Sequence, residues 1–269
     1  MVNVLKADGK LEPFSEEKLV ASIKRAGIPP QIQDQVLEHV KEKLYDNIPT
    51  SEVYKHIEEF FGKSDDHFSR SRYSLKSAIM EMGPTGFPFE MYISKILEAQ
   101  GYKTETNQVL LGKCVNHEVD VIATKEDEKL MVECKFHNKL GIKSDLHVSL
   151  YTKSRFEDLK EKHGFTKAML VTNTKITVDA LAYADCEGID VLAWSYPNDK
   201  GIRDLVEELK LYPITQLSFL TLTQKQELMA KDVVLINQIC KDPKVLESIS
   251  IPEDKREEAL KQAQLVCGL

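Results

Sequence analysis

The chain has 269 residues, of which 42% are hydrophobic and 29% charged, with a formal net charge of -7 at pH 7. That length can bury a sizeable core and suggests about two domains, while no apolar run approaches the ~20 residues that cross a bilayer. MVNVLKADGK lacks the apolar centre of a signal peptide, and five scattered cysteines without a CxxC pair point to a reduced, cytoplasmic setting without structural zinc and with no membrane partner.

The first predicted element is a hairpin. In VNVLKADGKLEPF, Asp8-Gly9 stands between two short extended runs and signals a two-residue turn. Ser15 followed by Glu16, Glu17 and Lys18 predicts an N-capped helix with acids in its first turn. Helical patterns run through SEEKLVASIKRAG, QIQDQVLEHVKEKLYD, TSEVYKHIEEFFGK and SRSRYSLKSAIMEM, giving a hairpin capped by four helices over residues 1–82. GPTGFPF, residues 83 to 89, is the natural linker, with its glycines and prolines.

A second unit is expected over 83–212. GFPFEMYISKILEAQG reads as an amphipathic helix with Glu90 near its start, Phe89, Ile93, Ile96 and Leu97 at helical spacing, and Gly101 closing it. Next come two short apolar runs, VDVIA, with Asp120 taken to end the run, and LMVECKF, with the polar KEDE at 125 to 128 between them as the turn. AMLVTN, TKITVDALAYADCEG and IDVLAW then read as strand, helix and strand, with Gly188 at the C-cap. Beyond Leu211-Tyr212-Pro213, residues 213–269 read as three or four short helices.

The chemistry concentrates on the second hairpin. Alternation along LMVECKF puts Glu133 and Lys135 on one face and Val132 and Cys134 on the other. Two carboxylates held close in a partly buried site repel unless a cation is shared, and an oxygen-rich site suits Mg2+ or Mn2+. Lys135 would orient or help deprotonate an attacking water. The plainer alternative is a surface hairpin with solvated acids and a lysine.

This pattern resembles the Mrr-like branch of the PD-(D/E)xK restriction-endonuclease superfamily, over about residues 84 to 212. The resemblance implies a restriction-endonuclease-like α/β sheet domain in which Asp120 and Glu133 hold the metal, with the Cys134 carbonyl as a third ligand, Lys135 assists the water, and Glu90 contacts the metal through water or braces the site. The Mrr branch often carries Gln where this chain has Glu133, the commoner form in the superfamily. Tyr151, His117 and His137 stand nearby as candidate extra ligands or phosphate contacts, against the plainer reading of satisfied structural residues. The acidic net charge speaks against a nucleic-acid partner, yet from Lys135 to Lys175 nine basic residues face four acids. Lys139, Lys143, Lys153 and Arg155 are the candidates for contacts to a DNA backbone.

At the N-terminus, Val4, Lys6, Asp8, Gly9, Glu12, Phe14 and Lys18 follow a spacing similar to the ATP-cone, a regulatory nucleotide-binding domain, echoed later by Ile48, Thr50 and Val53 and by Arg72-Tyr73. The resemblance implies a pocket for ATP or dATP built from Val4, Lys6, Glu12, Ser15, Lys18 and Thr50, with Tyr54 as a further lining ring. Two lysines and a helix N-terminus suit phosphates. Ala7 departs from the family pattern, removing a basic residue and a phosphate contact.

The C-terminal helices are vaguely similar to helix-hairpin-helix DNA-binding tails, but Ser250 stands where the hairpin glycine belongs, and seven basic residues face eight acids. An oligomerisation role is equally open there, as is a homodimer for the whole. Taken together, the expectation is a multi-domain α/β protein: a metal-dependent DNA endonuclease regulated by ATP or dATP. The alternatives are a nucleotide-sensing DNA-binding regulator that does not cut, and an interaction scaffold.

Overall fold

The computed structural model describes residues 2–6, 9–25, 30–62, 75–139 and 141–268, and divides the chain into two compact units. The first comprises Met1–Ser77 with Lys139–Ile142, the second Ala78–Asn138 with Lys143–Leu269.

In the first unit, β1 (Asn3–Leu5) lies between β2 (Leu11–Pro13), antiparallel, and β3 (Ile48–Pro49), parallel. Gly9 adopts φ 81°, a value open to glycine without strain, and its N–H closes the hairpin on the Lys6 carbonyl at 2.9 Å. The helices are α1 (Glu16–Arg25), α2 (Pro30–Lys41) and α3 (Thr50–Gly62). Ser15 caps α1 by accepting from the Lys18 N–H at 3.1 Å, as its place before two glutamates predicts. Val4, Leu19, Ile23, Val36, Val40, Ile48, Val53 and Ile57 form the core between this sheet and the helices. Residues 75–80 are helical and are labelled α4. Asp8, Arg72 and Tyr73 of the expected cone pattern, and Ala7, which departs from it, lie outside the described residues.

The second unit is built on a five-stranded sheet in the order β10-β8-β6-β5-β4. It begins with α5 (Phe87–Ala99), followed by the meander β4 (Lys103–Leu111), β5 (Asn116–Lys125) and β6 (Glu128–Lys135), all antiparallel. The turn between β5 and β6 falls at Glu126-Asp127, inside the polar KEDE segment, with Glu126 at φ 52°. Then β7 (Lys143–Ser144) leads into α6 (Leu146–His163), β8 (Lys167–Thr172) runs parallel to β6, and β9 (Lys175–Ile176) pairs with β7. α7 (Val178–Cys186) crosses back to β10 (Asp190–Leu192), parallel to β8, and α8 (Ile202–Leu209) follows.

Met131 of β6 packs with Leu159 of α6, Leu170 of β8 and Ala184 of α7 on one face of the sheet. α5 contacts β4, β5 and β6, and buries Phe89, Met91, Tyr92, Ile93, Ile96 and Leu97. The Tyr92 hydroxyl donates to the Leu211 carbonyl at 2.9 Å, so its one polar atom is satisfied inside the core. Gly83, in the expected linker, is a close-approach glycine: a Cβ there would lie 2.4 Å from Asn138 Oδ1.

After Tyr212 come α9 (Leu222–Met229), α10 (Ile236–Lys241) and α11 (Glu253–Cys267), with short 3-10 turns at Ile214–Gln216 and Pro243–Ser248. Among the described residues no helix is long and apolar enough to cross a membrane. One expectation is corrected: Cys240 and Cys267 form a disulfide, 27 positions apart. Packing of α10 against α11 brings their Cα atoms to 6.9 Å, a proximity that residue spacing alone does not carry.

Candidate active site

Local strand geometry gathers the charged groups. The β5/β6 ladder ends at Val121 opposite Val132, so the Cys134 N–H has no carbonyl partner on β5. Asp120 supplies one: its Oδ2 accepts from the Cys134 N–H at 2.6 Å. On its other side, the β4/β5 register runs from Thr106–Val121 to Gln108–Val119 and skips Asn107, which adopts φ 53°. Asparagine tolerates that left-handed conformation better than most residues. Asp120 thus sits at a break in both ladders, turned toward β6. Continuing the antiparallel register by one place sets it across from Glu133, the residue that alternation puts on the same face as Lys135.

The electrostatics follow from that crowding. Burial, and then the charge of Asp120, push the Glu133 carboxyl up to about 7, against the pull of Arg155 and Lys135. Burial also raises Asp120, opposed by its hydrogen bond from Cys134 and by Arg155. Glu90, from the first turn of α5, is likewise pushed up to about 7 by burial and by the charges of Asp120 and Glu118. Gly86 makes room for it, since a Cβ at that position would lie 2.9 Å from Glu90 Oε1. Glu118 is the acid that sequence reasoning missed. It lies two residues before Asp120 on β5, and that parity was its only signal.

α6 closes the opposite side. Asp145 caps it by accepting from the His147 N–H at 3.1 Å, which fixes where its successive turns fall. Arg155 forms an ion pair with Glu133, and both side chains are almost buried, at 11% and 14% exposure. Tyr151, one turn earlier, accepts from Arg155 Nη2 at 3.0 Å, and its ring centre lies 4.7 Å from the guanidinium carbon. A cleft of about 560 Å3 opens here, with Glu133 and Lys135 on one wall and His147, Val148, Tyr151 and Ser154 of α6 on the other.

The other expected residues fall elsewhere. His117 hydrogen-bonds Asp158 at 2.8 Å, and His137 hydrogen-bonds Ser144 Oγ at 3.0 Å, so each has a structural partner. Lys153 pairs with Glu157 and Glu187 at 3.1 and 2.9 Å, which makes it a brace on α6. Lys139 is exposed, and Lys143 is exposed at the start of β7.

Among the described residues, no three His, Cys, Asp or Glu side chains are arranged to hold a metal ion. Burial pushes the Cys134 thiol well above its ordinary range, so its side chain is a neutral group. The pair whose chemistry would suit a hard cation is Asp120 and Glu133, two carboxylates whose ionised forms the buried site otherwise disfavours.

In the first unit, Lys6 and Lys18 converge on Glu12, at 3.5 and 3.0 Å. Thr50 Oγ1 donates to the Leu5 carbonyl at 3.1 Å, and Ser15 Oγ donates to Glu17 at 2.7 Å. Val4, paired in register with Glu12, is a core residue at 8% exposure. Tyr54 is 36% exposed on α3.

Strand order, the Asp120–Glu133–Lys135 grouping and the helix glutamate define a restriction-endonuclease-type domain. Residues 81–196 match the restriction endonuclease (Mrr) family, residues 2–76 the ATP cone domain, and residues 212–267 the family described as AF1548-like, C-terminal. An uncharacterised protein of Archaeoglobus fulgidus is 38% identical over 176 residues, 65% of this chain and all of that protein. A crystal structure titled as a protein of unknown function, AF1548, superposes with a TM-score of 0.61 at 35% identity, covering 69% of this chain and all of that one. The chain belongs to this AF1548-like family, as a fusion of an ATP cone, an Mrr-type restriction-endonuclease domain and the family's C-terminal helices.

Proposed function

We propose that the chain is a metal-dependent DNA endonuclease whose ATP cone binds ATP or dATP and regulates cutting. The observation that carries this reading is the convergence of Asp120, Glu133 and Lys135 at the end of the β5/β6 ladder, with the two carboxylates disfavoured as a pair of bare charges. Bound there, Mg2+ or Mn2+ would act as a Lewis acid on a phosphodiester oxygen. Asp120 and Glu133 would hold it, with the Cys134 carbonyl as a third ligand. Lys135, exposed at the cleft wall, orients the attacking water and balances the charge of the reacting phosphate. Glu90, neutral or charged near pH 7, braces Asp120 and takes up a proton close to the reaction.

In the cone, Glu12 neutralises two lysines until a triphosphate replaces it. Lys6, Lys18 and the capped start of α1 then face the phosphates, while Val4, Ser15 and Thr50 shape the pocket. Regulation requires that nucleotide favour one of two arrangements of the chain. Duplex cutting would further call for a homodimer.

The test is incubation of the protein with Mg2+ or Mn2+ and duplex, single-stranded, branched and methylated DNA, with and without ATP or dATP. Metal-dependent fragments from wild type and none from Glu133→Ala are expected; equal cutting by both would defeat the site. One observation favours the second reading, a nucleotide-sensing DNA-binding regulator: Arg155 already neutralises Glu133. Retention of DNA without fragments under every metal would select it.

A further inference from the structure

The Arg155–Glu133 pair is unusual in its setting. An arginine from α6 reaches the carboxylate assigned to the cation, both groups are nearly dry, and Asp120 also contributes to its electrostatic hold. The guanidinium has a second partner: the Tyr151 hydroxyl and ring face on its own helix. Its Nε is buried with no hydrogen-bond partner, so the pairing leaves part of the donor fork unused. Tyr151 itself is 57% exposed, at the mouth of the cleft that Glu133 and Lys135 line. A guanidinium held between a buried acid and an exposed phenol can leave the first while keeping the second.

Resting on the nuclease reading above, we infer that Arg155 is a positioning residue that competes with the metal ion for Glu133 and is drawn off by a DNA phosphate. Arginine suits both ends of that exchange, since its planar fork matches carboxylate and phosphate alike. Tyr151 keeps the released guanidinium near the cleft, where it meets the phosphate backbone. Two consequences follow from linkage. Without DNA, Arg155 weakens cation binding. With DNA, it moves to the phosphate, and ion and DNA strengthen each other's binding by the same factor. The site would then be assembled chiefly on substrate, which limits metal-loaded, water-filled idling.

The experiment is titration of Mn2+, read as loss of the free-ion signal by electron paramagnetic resonance, with the full chain and no cutting required. Arg155→Gln should bind Mn2+ about tenfold more tightly than wild type in the absence of DNA, and Glu133→Gln added to it should remove the gain. A phosphorothioate oligonucleotide, tested as single strand and as duplex, should tighten Mn2+ binding to wild type in at least one form and leave Arg155→Gln unchanged. Circular dichroism checks that Arg155→Gln is folded. Should it not fold, Arg155→Lys, which keeps the charge and loses the planar fork that grips Glu133, should shift Mn2+ affinity in the same direction by a smaller factor. Equal Mn2+ affinity in wild type and these variants, or equal tightening by the oligonucleotide in wild type and Arg155→Gln, overturns the inference and leaves the nuclease site standing. Failure of every variant to take up Mn2+ overturns both.

Discussion

The two charged clusters of this chain are electrostatic opposites. In the cone unit, two lysines surround one glutamate at the surface, and the Lys18 hydrogen bond and the Lys6 charge hold Glu12 below the usual carboxylate range. In the nuclease unit, Asp120, Glu133 and Glu90 crowd together in a buried site, and their carboxyls are pushed upward. A surface cluster with surplus positive charge suits an anion, and a dry cluster with surplus negative charge suits a cation. The contrast matches the two ligands proposed, a nucleotide for the first cluster and a divalent ion for the second.

The largest expected effect comes from the acidic cluster. Glu133→Ala or Asp120→Ala should lower metal-dependent DNA cleavage by about a thousandfold or more, and Lys135→Ala by about a hundredfold, read on gels of end-labelled DNA. Next, Lys6→Ala or Lys18→Ala should weaken ATP or dATP binding by about tenfold, measured by calorimetry, because each removes a charge-assisted contact. Loss of cleavage in either lysine variant without loss of nucleotide binding would break the proposed division of labour.

A smaller effect concerns pH. The Glu90 carboxyl ionises around 4.5 in the unfolded chain and around 7 in the fold, so between those values the folded protein holds a proton that the unfolded chain has lost. Stability is therefore untouched by this group below about pH 4.5, falls as pH rises from there to about 7, and stays reduced above it. Glu90→Gln should raise stability at pH 8 by about 1–2 kcal/mol, after allowance for solvent screening, and change it little at pH 4, as read by urea unfolding. Mn2+ should bind more tightly as pH rises through 7, where Glu133 sheds its proton. The smallest effect is that of salt: 0.5 M NaCl should lift the Glu12 titration toward its ordinary value and leave Glu133 nearly unmoved, because exposed pairs are screened and buried ones are not.

Much of the architecture was legible because it rests on period and punctuation. Alternation in LMVECKF put Glu133 and Lys135 on one face, KEDE marked the turn, Ser15 marked a helix start, and Gly188 a helix end at φ 68°. What escaped depends on partners distant in the chain. β4 went unread as a nine-residue edge strand because KTETNQVLL alternates between half-buried and exposed residues, with few apolar ones. Asp120 was read as the end of an apolar run, yet it sits inside β5 at a break set by Asn107 on the neighbouring strand. Arg155 was read as a DNA contact, and its pairing with Glu133 twenty-two positions back is a product of how α6 packs on the sheet. The cysteine pattern hid the Cys240–Cys267 bridge for the same reason.

Anomalous diffraction from a manganese-soaked crystal tests the central claim most directly. The account predicts one peak bound by the carboxylates of Asp120 and Glu133, with Arg155 moved off Glu133. A peak elsewhere with that ion pair intact, or none at saturating manganese, would contradict it.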